Sequence, residues 1–242
     1  MEIRNSHIVP ELVYKRVYTR KHKFLPVDRT DESIPFEQKG YRERLLCQSC
    51  ETKLSRWEGT LGNLIEDVVN LTSNSIKFQS VGRCHVLAGI NYDHIKKAVL
   101  SIFWRMSISS LEIFSGYQLG PYEGKIKHIL HNDSVISEDD FPVLISRCEL
   151  NWSFQDVMFF PVGRGRYAGK YIMQTVVLNG IVFDMLMVEG KSIPKEISLF
   201  SLRSQGQVII STRNYEELGL SLDKFAHRMR QSDVSDFFKK YD

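Results

Sequence analysis

The sequence has no run of about eighteen apolar residues, which leaves no candidate for a helical membrane span. Its start, Met1-Glu2-Ile3-Arg4, lacks the charged-then-apolar plan of a secretory signal, so a cytoplasmic protein with no membrane partner is expected. Cysteine is scarce: four thiols in 242 residues, at positions 47, 50, 84 and 148, are too few for a disulfide scaffold. Excess charge is scarce too. Lys and Arg number 32 against 29 Asp and Glu, and a net charge of +3 implies no polyanionic partner unless the charge is clustered locally. Internal repeats and low-complexity segments are absent. What the chain does have is 43% apolar residues, enough for a substantial core.

One segment is clearly basic. Between residues 4 and 23, Arg4, Lys15, Arg16, Arg20, Lys21 and Lys23 face a single acid, Glu11, with Val13, Tyr14, Val17 and Tyr18 interleaved. From Pro26 to Gly40 no apolar period survives, which predicts an exposed loop. Beyond it, Leu54, Trp57, Leu61, Leu64, Ile65 and Val68 recur at three- and four-residue intervals and predict a helix from about Cys50 to Val69. A helix over about 93–115 follows from Ile95, Val99, Ile102, Phe103 and Met106, with Lys96, Lys97 and Arg105 off that stripe and Asn91 or Asp93 as its cap. A second helix over about 122–132 should pack beside it. After Leu150 the period changes: runs near 157–162, 171–178, 181–188 and 207–212 read as strands of a β-meander spanning about 155–213, with Asn179-Gly180 as a type I′ turn. Leu222 to Tyr241 reads as a closing helix, about 222–240. The order predicts an α+β fold with a module boundary near Ser73 to Val81.

Cys47-Gln48-Ser49-Cys50 places two thiols three positions apart at a strand-to-helix junction, the arrangement of a zinc knuckle. It is half a zinc site, because no second Cys-x-x-Cys exists and Cys84-His85 presents adjacent side chains. Two reduced cysteines closing a turn, and a redox dithiol without a thioredoxin-like pattern around it, are the other readings. The stretch Gly163-Arg164-Gly165-Arg166-Tyr167-Ala168-Gly169-Lys170 has the wrong spacing for a phosphate loop and reads as a basic β-connection able to touch a phosphate backbone. Trp104-Arg105 reads as helix packing, and Asp139, Asp140, Asp233 and Asp236 as cap or surface acids.

Ser6-His7-Ile8-Val9-Pro10, followed about forty residues later by Leu45-Leu46-Cys47-Gln48-Ser49-Cys50-Glu51 and Trp57-Glu58, resembles the HNH (His-Me finger, ββα-metal) endonuclease family over residues 5 to 58. More closely, it looks like a bacterial branch with Ser-His-Ile-Ile-Pro and Leu-Leu-Cys-x-x-Cys-Glu motifs and a following Trp-Glu; Leu100 to Ser109 and Leu119 to Ile126 are similar to the helical region of those proteins. The resemblance implies a small treble-clef or ββα-like finger over 1–75; the order of elements predicts that an α+β domain over 76–242 follows it, with a helical middle and an antiparallel, β-rich C-terminal part. It implies a metal-dependent endonuclease, or a nuclease-derived protein acting on nucleic acid, with His7 as general base and Glu51 holding Mg²⁺ or Mn²⁺. Cys47 and Cys50 would join Glu51 at the metal centre, with Zn²⁺ short of a full ligand set. Lys15, Arg16, Arg20, Lys21, Lys23 and Arg56 would bind the nucleic acid, and Glu58 would stand behind the site. Ser6 occupies the position where relatives often carry an acid. Arg42, or its neighbour Glu43, stands where they carry the asparagine that orients the base. The competing readings are a catalytically inactive nucleic-acid-binding module and a protein-interaction module or homo-oligomer. A defence role against foreign nucleic acid would suit the bacterial branch.

Overall fold

In the computed structural model, which describes residues 2–18, 23–24, 37–38, 40–71, 76–82, 84–149, 159–190 and 193–218, strand β1 (Ile3–His7) runs antiparallel to β4 (Arg42–Cys47), and helix α2 (Gln48–Asn70) leaves directly from the end of β4. Between the strands lie α1 (Glu11–Val17) and the short antiparallel pair β2 (Lys23–Phe24) and β3 (Glu37–Gln38). The β1–β4 ribbon and α2 form a ββα unit. The apolar period of α2 is realised in full: Leu54, Trp57, Leu61, Leu64, Ile65 and Val68 are all buried. Gly62 lets α1 approach closely, because a Cβ there would lie 3.2 Å from both methyl carbons of Leu12.

The large sheet has seven strands in the order β5-β6-β11-β7-β10-β9-β8. These are β5 (Lys77–Val81), β6 (Cys84–Ala88), β7 (Val143–Glu149), β8 (Phe159–Tyr167), β9 (Tyr171–Leu178), β10 (Ile181–Leu186) and β11 (Gln207–Asn214). The Asn179-Gly180 turn forms as expected, with φ of 51° and 77°, and closes the β9–β10 hairpin. The meander holds for β8, β9 and β10 but not for β11. Both edges of β10 are taken, by β9 and by β7, so β11 instead pairs parallel to β7 and antiparallel to β6. Strands β5, β6 and β7 go beyond the sequence reading; in β5 the polar residues alternating through Lys77–Val81 give no apolar run to mark a strand.

Helix α3 (Tyr92–Ile108) is capped by the Asn91 side chain, which accepts from the His94 N–H at 3.1 Å. It stops at Ile108, short of the expected 115, and Glu112–Phe114 forms a separate 3-10 turn. Helix α4 (Glu123–Asn132) packs beside α3, and a short α5 (Lys195–Phe200) lies near β11 and β7. The closing helix expected over about 222–240 falls outside the described residues. One apolar core crosses the 75/76 boundary, joining Ile8, Tyr14, Trp57 and Leu61 with Phe103, Phe114, Phe183 and Ile210. A smaller cluster of Leu144, Leu186, Val188, Ile193 and Ile197 lies apart from it.

The three cations of α3 that fall off the apolar stripe are all buried, because α2, α4 and the loop around Asp133 enclose the helix. Lys97 reaches Asp133 Oδ1 at 2.5 Å and Asp93 Oδ2 at 2.8 Å, with its ammonium 5.5 Å from the Trp57 ring centre. Arg105 pairs with Glu58 of α2. Lys96 is fully buried and among the described residues finds no hydrogen-bond acceptor, only the Tyr92 ring at 5.6 Å. Burial pulls the Lys96 ammonium down to about 7, against the opposing pull of Asp140, Glu138 and Asp139. The unfolded chain therefore holds this proton more tightly than the folded one between pH 7 and 10.5, and folding stability rises with pH across that window. Lys96→Met is expected to stabilise the protein at neutral pH by about 1–4 kcal/mol, with the gain shrinking as pH climbs toward the ordinary lysine range. Urea unfolding at several pH values reads this directly; a gain that does not change with pH would contradict it.

Candidate functional site

The ββα unit brings His7 to the last position of β1, opposite Arg42 on β4. Immediately after His7, Ile8 and Val9 are fully buried and the Ile8 N–H donates to the Tyr41 carbonyl at 3.0 Å, so the histidine sits where the strand enters the core. Pro10 then starts α1. Gly40 precedes the paired segment with φ +67°, and a Cβ there would fall 2.6 Å from the Tyr14 ring. Tyr14 is itself fully buried, accepts the Tyr41 N–H at 3.2 Å and lies with its ring centre 6.1 Å from that of His7. Burial raises the Tyr14 phenol well above its ordinary value, so it stays protonated.

The His7 ring is held by a cation. Arg42 Nε donates to His7 Nε2 at 2.9 Å, so on the neutral ring the hydrogen belongs on Nδ1. Of the two residues that sequence places at the orienting position, Arg42 is the one that contacts the histidine. Glu43 turns the other way and accepts from Ser109 Oγ at 2.8 Å, Ser110 Oγ at 2.7 Å and the Ser110 N–H at 3.0 Å. Burial works against its charge, but these hydrogen bonds outweigh it and leave its carboxyl below the usual range. Ser6 is buried, donating to the Arg4 carbonyl at 3.3 Å and accepting the Leu46 N–H at 3.2 Å, so it knits the ribbon together.

Arg105 supports the histidine from behind. It is buried, its Nη1 donates to the His7 carbonyl at 2.9 Å and its Nη2 meets Glu58 Oε1 at 2.5 Å. Glu58 thus reaches the site indirectly, through a guanidinium on α3. No local pattern signals that link, since Arg105 lies 98 positions from His7 and reads as an ordinary helix charge.

Cys47 caps α2 and Cys50 lies in its first turn. Ser49 Oγ lies 3.1 Å from Cys47 Sγ, and hydrogen bonds from Ser49 and Cys50 hold the Cys47 thiol down to about 7. Burial and its bond to Cys47 push the Cys50 thiol up. A structural zinc needs four donors and a catalytic divalent ion several oxygen or imidazole donors. Among the described residues, no group of three or more His, Cys, Asp or Glu side chains converges on one point. Cys47 and Cys50 therefore stand as a pair, without His7 or Glu51 completing a set, and Cys84 lies on β6. The described residues do not fit a zinc or a Mg²⁺ or Mn²⁺ site.

The expected nucleic-acid contacts divide. Lys15 is exposed on α1, while Arg16 pairs with Glu66 at 3.1 Å and Arg56 with Asp133 at 3.3 Å. Lys23 lies in β2, and Arg20 and Lys21 fall outside the described residues. In their place the ribbon supplies Arg44, exposed and two positions from Arg42, and therefore on the same face as His7 and Asn5. No protein-family model, curated protein or solved structure matches the chain.

Two outcomes are expected of this site. Arg105→Ala strands the Glu58 carboxylate and the His7 carbonyl and should cost about 3–5 kcal/mol of stability; a loss below about 1 kcal/mol, the level of an exposed pair, would contradict the buried network. Ultraviolet thiolate absorbance should show a step centred at about pH 7 that disappears in Cys47→Ala and moves toward 9 in Ser49→Ala; a step unmoved by either substitution would reassign it.

Proposed function

We propose that the chain is a nuclease-derived protein of the HNH type that binds nucleic acid through its ββα unit and does not cleave it in this arrangement. The observation that carries this reading is the Arg42 guanidinium on His7 Nε2. A general base needs an acceptor nitrogen aimed at water, and a metal beside it needs anionic donors. Here the strand position that would orient the base carries a cation instead, which repels a divalent ion and attracts phosphate. Arginine suits that role, since its planar fork matches a phosphate group. Arg44 and Lys15 add exposed positive charge from the same unit. The fold order and the position of His7 at the strand end also support descent from a hydrolase, so cleavage is the outcome that would overturn the reading.

A fluorescence-anisotropy titration of labelled single-stranded DNA, duplex DNA and RNA, with and without Mg²⁺ or Mn²⁺, tests it. Binding is expected to weaken steeply with salt. Arg42→Gln with Arg44→Gln should lower the salt slope by about 1.5–2, since each arginine removed leaves one phosphate with its counterion in place. Products that appear only with added metal and vanish in His7→Ala would establish an HNH endonuclease instead. Absence of binding to all three ligands would move the function to protein interaction.

A further inference from the structure

The most distinctive charged surface of the molecule lies away from the ββα unit, at the tip of the β8–β9 hairpin. Ala168 and Gly169 close that hairpin with φ of +49° and +69°, so it projects as a tight turn. Arg164, Arg166 and Lys170 are all exposed there. Arg164 and Arg166 are two residues apart on one strand, which puts them on the same face about 7 Å apart along it, with only Gly165 between them. Lys170 stands just past the turn, its ammonium 5.1 Å from the Tyr171 ring centre.

Three features leave these cations open to an anion. Arg16, Arg56, Lys97, Arg105, Lys125, Arg203 and Arg213 all have a carboxylate partner. Among the described residues no ion pair engages Arg164, Arg166 or Lys170. The sequence holds no acid between Val157 and Phe183, and the next one, Asp184, is buried against Arg213 at 2.6 Å. Finally, β8 is the last strand of the sheet, so no strand covers its outer edge among the described residues. An edge strand carrying unneutralised arginines resists pairing with another strand, yet it offers guanidinium groups and peptide N–H groups to an anion.

We infer that the β8–β9 tip, through Arg164, Arg166 and Lys170, is a second contact for the phosphodiester backbone of the nucleic acid; this rests on the binding role proposed for the ββα unit. The two surfaces are joined by one strand. Helix α1, which carries Lys15, packs against β8, and Asn179 Nδ2 at the neighbouring turn donates to the Val13 carbonyl at 3.2 Å. From that end β8 runs roughly 20 Å to its tip, so a bound strand several nucleotides long meets both. An anionic membrane fits less well: the exposed large apolar side chains of the described residues are Ile3, Leu71, Val81, Val135 and Leu199, and none lies on the hairpin to insert into lipid. Tyr167 and Tyr171 are half-buried, so the contact reads charge and not base identity.

The test uses the full chain carrying Arg164→Gln, Arg166→Gln and Lys170→Gln, with circular dichroism and urea unfolding to confirm an unchanged fold, and the single variants Arg166→Gln and Lys170→Gln as a check. Anisotropy against labelled DNA of two unrelated sequences is measured across salt. The triple variant is expected to bind about tenfold or more weakly at low salt, with the salt slope reduced by about 2–3 and the same weakening on both sequences. Each single variant should remove about one unit of slope. Wild-type affinity and slope in the triple variant, while the Arg42/Arg44 variant is weakened, would overturn the hairpin contact and leave the proposed function standing. A wild-type chain that binds no nucleic acid would overturn both. A sequence-dependent weakening would overturn a backbone contact, and binding of the wild type to anionic vesicles at equal strength, abolished in the triple variant, would give the hairpin to a membrane surface.

Discussion

The guanidinium of Arg105 is the point on which the N-terminal unit hangs. It is buried on α3, yet it satisfies the carbonyl that ends β1 and the Glu58 carboxylate of α2 at the same time. A buried guanidinium cannot shed its proton as a buried lysine can, so it is tolerated only when its donors are used and its charge is balanced, and three elements from distant parts of the sequence must meet at one spot. Once they do, His7 has a fixed backbone position, Arg42 lies opposite it in the ribbon, and the start of α2 is fixed relative to both. The apolar core continues across the same junction, which makes the ββα unit and the large sheet parts of one packed body.

From that anchoring follows the character of the site. His7 stands at a strand end and Cys47 and Cys50 at the start of a helix, the arrangement on which the proposed likeness to a metal nuclease rests. Arg42 contacts the ring, Arg44 shares its face, Glu43 bonds the serines after α3 and Glu58 bonds Arg105. A guanidinium on the ring suits a phosphate better than a divalent ion, which is why binding without hydrolysis is the function proposed.

The elements with strong local signals are legible in the sequence. The spacing of Leu54, Trp57 and Leu61 announces α2, the Asn91 cap and apolar stripe announce α3, and Asn179-Gly180 announces the hairpin between β9 and β10. What stays hidden depends on distant partners. The burial of Lys97 and Arg105 cannot be read from α3 because Asp133 and Glu58 lie 36 and 47 positions away. The insertion of β11 between β6 and β7 depends on which sheet edges are already occupied, a property no local window contains. At the site, sequence marks position 42 or 43 as the residue facing the histidine, but only the geometry selects Arg42 and gives Glu43 a different task.

The central claim is that Arg42 occupies the nitrogen of His7 that a catalytic base would need. The most direct measurement is the tautomeric and protonation state of the His7 ring, read from its nitrogen resonances in uniformly nitrogen-15-labelled protein and assigned with His7→Gln. The account predicts a neutral ring near neutral pH with its hydrogen on Nδ1, unchanged by added Mg²⁺ or Mn²⁺ and altered by Arg42→Gln. A hydrogen on Nε2 in the wild type, or a ring that responds to the added metal, would contradict it and restore the histidine to a catalytic role.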